Sequence, residues 1–207
     1  MADFVLQYVV LLFSLTVHES AHAYFADRLG DPTARRLGRI SLNPLVHIDI
    51  IGTVILPILA AISGWALIGW AKPVPVNPYN LRNPRRDNMI ISGFGPLSNI
   101  ALAVIFALVF RVLILILPAG GIFVPLFRLL QFGVLINLIL AFFNLIPIPP
   151  LDGSGVLAGL LPEHTAEAFE RMGIYGIVII YILLFIGFFS RVIFPISFGF
   201  YHLLIGF

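Results

Sequence analysis

The residues most able to do chemistry are His18-Glu19-Ser20-Ala21-His22. On a helix, positions i and i+4 project from one face, so both imidazoles can reach one metal ion, with Glu19 beside a metal-activated water. That is what a zinc hydrolase requires: two nitrogen ligands, a general base and room for a third ligand. With five His and four Glu in 207 residues, random placement gives this spacing roughly twice in a thousand such sequences, which makes the match informative before its context is considered. The bland alternative is three polar side chains near a helix end, snorkelling to an interface. Their place inside an apolar run favours function, because ionisable groups there are costly.

The third ligand must be a carboxylate or a histidine, since the chain has no cysteine. That absence also excludes disulfide frameworks, iron–sulfur sites and thiol nucleophiles. Asp27, Asp31 and Asp87 have arginine neighbours, and Glu163, Glu167 and Glu170 share a short polar segment. All six read as solvated or paired charges. Asp152 differs. It closes Asn144-Leu145-Ile146-Pro147-Ile148-Pro149-Pro150-Leu151-Asp152-Gly153, where the prolines prevent regular helix directly after an apolar run. Unwound backbone there must be buried in protein or line a cavity, which would bring the Asp152 carboxylate to a polar site shared with the first helix.

The elements that must position these residues are membrane helices. Hydrophobic residues make up 60% of the chain and charged ones 11%, with a mean hydropathy of +1.05, against about 45–50% apolar in a soluble domain. Runs at Phe4 to Ala26, Met89 to Leu117 and Ile122 to Ile146 reach the roughly 20 residues that cross about 30 Å of hydrocarbon. A further run extends from Ile174 towards the C-terminus, interrupted near Ser190, Arg191 and Pro195. The first run lacks the basic flank and small-residue cleavage site of a signal peptide and reads as a retained helix. The polar intervals are too short for an independent module, so residues 1–207 read as one integral membrane domain. The net charge of +2 comes from basic clusters between apolar runs, which suits a membrane surface and not nucleic acid.

The segment Ile48 to Trp70 is long enough to cross but is broken by Pro57, Gly64 and Gly69. Arginines after the first helix, and Lys72, Arg82, Arg85 and Arg86 beyond the segment, place both flanks on the cytoplasmic side. The segment therefore has to enter and return as a re-entrant hairpin, with Gly64 and Gly69 supplying the reversal. On that topology His18, His22, Asn99, Asn144 and Asp152 fall at one depth. A single crossing would put Asp152 on the far side from the histidines. Gly95 and Asn99 share a helix face, the glycine permitting close approach and the asparagine a hydrogen bond across it; helix packing explains the pair as well as catalysis does. Asp49 is placed to cap a helix. His47 and Asp49 flank the start of the hairpin, where they could touch the metal site, but interfacial or helix-capping roles account for them more simply; Arg111 and Arg128 read as snorkelling outward or paired with a carbonyl, and His164 and His202 as interfacial.

The HExxH ending an early membrane helix, the NxxPxPxLDG segment some 130 residues later, Gly95-Pro96-Leu97-Ser98-Asn99 and the stretch from Gly69 to Pro78 together resemble the site-2 protease family of intramembrane zinc metalloproteases. The resemblance covers essentially the whole chain, in the pattern of short prokaryotic members without a PDZ or CBS domain. It implies an all-α polytopic membrane protein: a core of three helices carrying the zinc site, a re-entrant or β-hairpin-like segment and C-terminal membrane helices. It also implies one Zn2+ per chain on His18, His22 and Asp152, with Glu19 catalytic and Asn144 an active-site polar residue. Asn99 and Val74 would contact substrate or serve packing. The implied reaction is hydrolysis of peptide bonds within or near transmembrane helices of single-pass substrates, such as anti-sigma factors or remnant signal peptides, in the prokaryotic inner membrane with the site towards the cytoplasm. The Pro-rich Lys72 to Pro78 stretch would hold unwound substrate as an added strand. A membrane zinc transporter would use the same ligands but leaves Glu19 unexplained and should show inverted repeats; a non-catalytic scaffold leaves the whole trio unexplained.

Overall fold

A computed structural model of the chain describes residues 2–63, 69–171 and 173–206. Among the described residues, three single helices are long and apolar enough to cross a membrane: α1 (Ala2–Arg28), α4 (Pro84–Ile116), and α5 (Val124–Asn144) together with the single turn before it. The shorter helices among the described residues are α2 (Thr33–Arg36), α3 (Leu56–Ser63), α6 (Asp152–Leu160), α7 (Glu163–Arg171), α8 (Gly173–Phe185) and α9 (Phe194–Ile205). There is no strand among the described residues, so the architecture is all-α as expected.

The three long helices pack pairwise. Lipid is as apolar as leucine, so this association rests on close packing and interhelical hydrogen bonds. Small residues provide the first: Ala103 and Ala107 of α4 are buried against Phe127, Leu130, Val134 and Leu138 of α5, with Ile205 of α9 closing the cluster. Leu11 and Leu15 of α1 pack with Ala71, Ile136 and Leu140. Many large side chains, such as Leu108, Val112, Leu115, Ile177 and Tyr181, stay exposed, as a lipid-facing surface demands.

The segment after residue 48 enters and comes back. Asp49 caps its first turn by accepting from Ile51 N–H at 3.0 Å and Gly52 N–H at 2.8 Å, the cap expected from sequence. A wide π-helical turn at Ile50–Ile55 leads into α3. The returning limb meets the entering one at Thr53, whose hydroxyl donates to the Trp70 carbonyl at 3.1 Å. Tyr8 of α1 pins the same turn by donating to the Thr53 carbonyl at 2.7 Å. The described parts of the two limbs therefore lie side by side, the entering one helical and residues 69–77 without regular secondary structure, so the described residues hold no pair of strands here. Of the two glycines expected to reverse the segment, Gly64 lies outside the described residues. Gly69 sits against the Gly52 carbonyl, where a β-carbon would overlap it.

Several single-residue expectations are corrected by the tertiary structure. Asp31 is no solvated charge: it is fully buried and accepts from Asn77 N–H at 2.7 Å and the Asn80 amide at 2.8 Å. Asp87 is also buried and accepts from Asn83 N–H at 2.8 Å, capping α4 in place of pairing with an arginine. His47 is buried rather than interfacial. Asp27 does pair with Arg35, Arg111 donates to the Leu203 carbonyl at 3.1 Å, and Arg128 pairs with Asp3 at 2.6 Å. The acidic segment forms α7, a short amphipathic helix whose buried residue is Ala166.

Candidate metal centre

One turn of α1 sets the centre. His18 and His22 are buried on the same face, their Nε2 atoms 3.0 Å apart. Asp152 reaches them from the N-terminus of α6, immediately after the proline run, with Oδ2 3.1 Å from His18 Nε2 and Oδ1 3.3 Å from His22 Nε2. These three side chains form the metal-capable cluster among the described residues. Thus the structure brings together three groups contributed by two elements about 130 residues apart in the sequence.

The hydrogen bonding on the far side of each ring tests whether this cluster fits a cation. His22 Nδ1 lies 2.8 Å from the Ile91 carbonyl, and His18 Nδ1 lies 2.6 Å from Asn99 Oδ1. Both partners accept, so each neutral ring carries its proton on Nδ1 and turns a lone pair on Nε2 towards Asp152. Asp152 Oδ2 is buried with no hydrogen-bond donor. Two lone pairs and a carboxylate in mutual contact repel unless a positive charge lies among them. A tetrahedral zinc with bonds of about 2.0–2.1 Å sets its ligand atoms about 3.3 Å apart, close to the separations found. The residues fit zinc, and two nitrogens with one carboxylate oxygen leave a fourth position open.

The packing of α4 makes the rings' positions possible. A β-carbon on Gly95 would overlap His22 Nε2 and lie 2.7 Å from His18 Cε1, so only glycine admits both imidazoles. Four residues on, Asn99 is fully buried and bonds to His18. The expected pairing of close approach and cross-helix hydrogen bond is what the geometry contains.

Glu19 lies on the other side of this pair, half-buried. Its Oε2 accepts from the backbone N–H of Val74 at 2.9 Å. Val74 belongs to the extended strap of residues 71–77, which is pinned along its length. Lys72 N–H donates to the His47 carbonyl at 2.9 Å. The Arg39 guanidinium, 6% exposed, donates to the carbonyls of Val46, Lys72 and Pro73, and Asp31 holds Asn77. His47 in turn bonds the Ser41 carbonyl at 2.9 Å and approaches Ser20 Oγ at 3.3 Å. Burial depresses the His47 imidazole below the ordinary histidine value, and Arg39 adds to the effect against the Ser41 bond and Glu19. Asp31 is driven up by burial, but bonds from Asn80, Thr33 and Asn77 outweigh this and hold its carboxyl below the ordinary aspartate value.

Asn144 is the last residue of α5, its amide donating to the Leu140 carbonyl one turn back at 3.0 Å. Sequence reasoning passed over Arg39, Asn137 and Ser14. The signal for the last two was a polar residue inside an apolar run.

Comparison with known proteins gives the family of the chain. The model of "Peptidase family M50" matches residues 112–187, a span holding Asn137, Asn144 and Asp152. The Bacillus subtilis protein named "Putative zinc metalloprotease YwhC" is 35% identical over 192 residues, 90% of this chain and 83% of the relative. "Putative zinc metalloprotease Rip2" of Mycolicibacterium smegmatis is 31% identical over 199 residues, 96% of this chain and 73% of the relative. "Putative zinc metalloprotease MJ0611" of Methanocaldococcus jannaschii is 46% identical over 71 residues, 34% of each chain. No solved structure matches the chain. Similarity along nearly the whole length, joined to a zinc-fitting trio beside a glutamate within membrane helices, assigns this chain to peptidase family M50, the site-2 protease family of membrane zinc metalloproteases.

Proposed function

We propose that this protein is an intramembrane zinc endopeptidase that hydrolyses peptide bonds within or near the transmembrane helices of single-pass membrane proteins, anti-sigma factors and remnant signal peptides among them. The observation that carries the reading is the convergence of two buried imidazoles, His18 and His22, with the part-buried carboxylate of Asp152, next to Glu19 in α1. One zinc ion per chain, when bound, supplies Lewis-acid polarisation of a carbonyl and acidifies a nearby water towards a pKa of about 7.

The chain's own residues do the rest. Glu19 accepts the proton of the attacking water and returns it to the leaving amide nitrogen. Asn99 keeps the His18 lone pair aimed at the centre through its bond to Nδ1. Asn144 donates one amide hydrogen to Leu140 and keeps a second with which to donate to the substrate carbonyl. A helical substrate hides its carbonyls in intrahelical bonds and must unwind first. The strap supports a pairing surface for the unwound segment, with one condition. Pro73, Pro75 and Pro78 have no N–H, and the Val74 N–H is engaged by Glu19, so a substrate strand that takes this donor displaces Glu19 from it. The lysine and arginine distribution orients the site towards the cytoplasm of a prokaryotic cell membrane.

The test is cleavage of a panel of single-pass substrates by purified protein in liposomes, comparing wild type with Glu19→Gln at matched zinc occupancy. Cleavage that vanishes in the variant while zinc stays bound supports the reading. Zinc bound by both with neither cleaving, together with zinc uptake into the liposomes by wild type, would replace it with metal transport.

A further inference from the structure

A buried chain of polar groups begins at a backbone carbonyl and ends on a metal ligand. Ser14 of α1, Asn99 of α4 and Asn137 of α5 are each 0% exposed. The Gly133 carbonyl can only accept, so the Asn137 amide must present Nδ2 to it, at 2.8 Å. The same Nδ2 donates to Ser14 Oγ at 2.8 Å. That leaves Asn137 Oδ1 facing Asn99, where it accepts from Nδ2 at 2.9 Å. Asn99 then has only Oδ1 to offer His18 Nδ1, 2.6 Å away. An acceptor at Nδ1 requires the proton there and keeps the lone pair on Nε2. Asn99 Nδ2 also reaches the Ser14 carbonyl of α1, more distantly at 3.4 Å. Reversing either amide would bring two donors or two acceptors together, so the Gly133 carbonyl on α5, with the longer Ser14 contact in support, fixes the direction of the chain.

We propose that Asn137 is a positioning residue for metal binding: acting through Asn99, it locks the tautomer and ring orientation of His18. The proposal rests on the reading of His18, His22 and Asp152 as a metal site and extends it to a residue that touches neither metal nor substrate. The other imidazole provides an internal contrast. His22 is set directly by the Ile91 carbonyl, a backbone group that side-chain substitution leaves in place. The two histidines of one motif are therefore held by different means, and His18 alone depends on a relay of side chains.

If the relay were only interhelical glue, breaking it would lower stability without changing metal affinity. The test uses the full chain in detergent, with zinc affinity measured by competition against a chelating dye and cobalt absorption as a signature of ligand geometry. Asn137→Leu, close in volume but without polar atoms, should weaken zinc binding about 10- to 100-fold, the usual effect of losing an outer hydrogen-bonding partner, and shift the cobalt bands. Asn99→Ala should do the same. The double variant should bind no more than about twofold more weakly than Asn99→Ala, because residues acting in series are non-additive. Ser14→Ala should stay within about threefold of wild type, since Gly133 still fixes the Asn137 amide.

Asn137→Ser covers the case in which the leucine variant does not fold. Its hydroxyl can bond back to the i−4 carbonyl but reaches less far towards Asn99, so a loss smaller than that of Asn137→Leu yet above threefold is expected. Wild-type affinity in either Asn137 variant, or fully additive losses in the double variant, would overturn the proposal. Because the readout is metal binding, a chain that shows this pattern but cleaves nothing keeps the relay and loses the protease reading.

Discussion

The two walls of the site are built from different material. Towards the metal trio, the wall consists of side chains on three long helices, joined to one another in a buried interior. Towards Glu19, it is a strap of extended backbone, held by its own N–H and C=O groups to side chains of the preceding loop. Helices fix the angle of a ligand because their whole backbone is already hydrogen-bonded within the segment. The strap has no ladder of its own and takes its shape from Arg39, Asp31 and His47. The first wall is suited to holding an ion in fixed geometry, the second to exchanging one backbone partner for another.

If the walls are separable, substitutions should divide cleanly between metal binding and catalysis. The largest effect is expected from His22→Ala or Asp152→Ala, which should abolish tight zinc binding as read by metal analysis of the purified protein. Hydrogen exchange at the strap amides should change little in the same variants. Gly95→Ala should lose zinc as well, because its methyl would occupy the space of the imidazoles. Glu19→Gln should lower the cleavage rate about 10²- to 10⁴-fold with one zinc still bound.

Arg39→Leu is the sharpest probe of the division. It strips three backbone carbonyls of a donor, at a cost of about 1–3 kcal/mol for each left unsatisfied. Exchange at Lys72 and Val74 should then rise at least about tenfold, while zinc affinity holds within about threefold. A parallel loss of zinc would show that the walls are one unit. Asp31 gives a milder perturbation through pH. Its carboxyl is depressed in the folded state, so its contribution is fully present above the unfolded aspartate value and fades as pH falls through the folded one. Wild type should lose strap protection on acidification through that range, and Asp31→Asn should start lower and show a flatter profile. The smallest effect is expected at the far end of α1, where the Asp3–Arg128 pair is exposed on both sides. Asp3→Asn should change stability by less than about 1 kcal/mol and leave zinc and cleavage alone.

How far the sequence reaches follows the same division. The ligand pair was legible because helical periodicity alone puts residues 18 and 22 on one face. That the segment after residue 48 comes back on itself was expected from the arginines flanking it, and the Gly95–Asn99 pair was legible from its spacing. The strap's anchors were not. Arg39 and Asp31 stand in a run of charges that reads as a solvated loop, and nothing local announces that each is buried against backbone more than thirty residues away. Asn137 escaped for a related reason. A lone asparagine in an apolar helix signals a buried partner, but which partner depends on the crossing of α4 and α5, which no window on α5 encodes.

The proline run before Asp152 also has a bearing on timing. At roughly 5–20 residues per second of synthesis, the chain needs roughly seven to twenty-seven seconds after His18 has been made before Asp152 exists. Throughout that interval the nascent helix carries His18, Glu19 and His22 without the carboxylate that completes the cluster. On the proposed reading, the chain thus enters the membrane alongside other newly made helices while its own centre is still incomplete, and Asp152, synthesised last of the three, sets the moment at which an ion could be gripped.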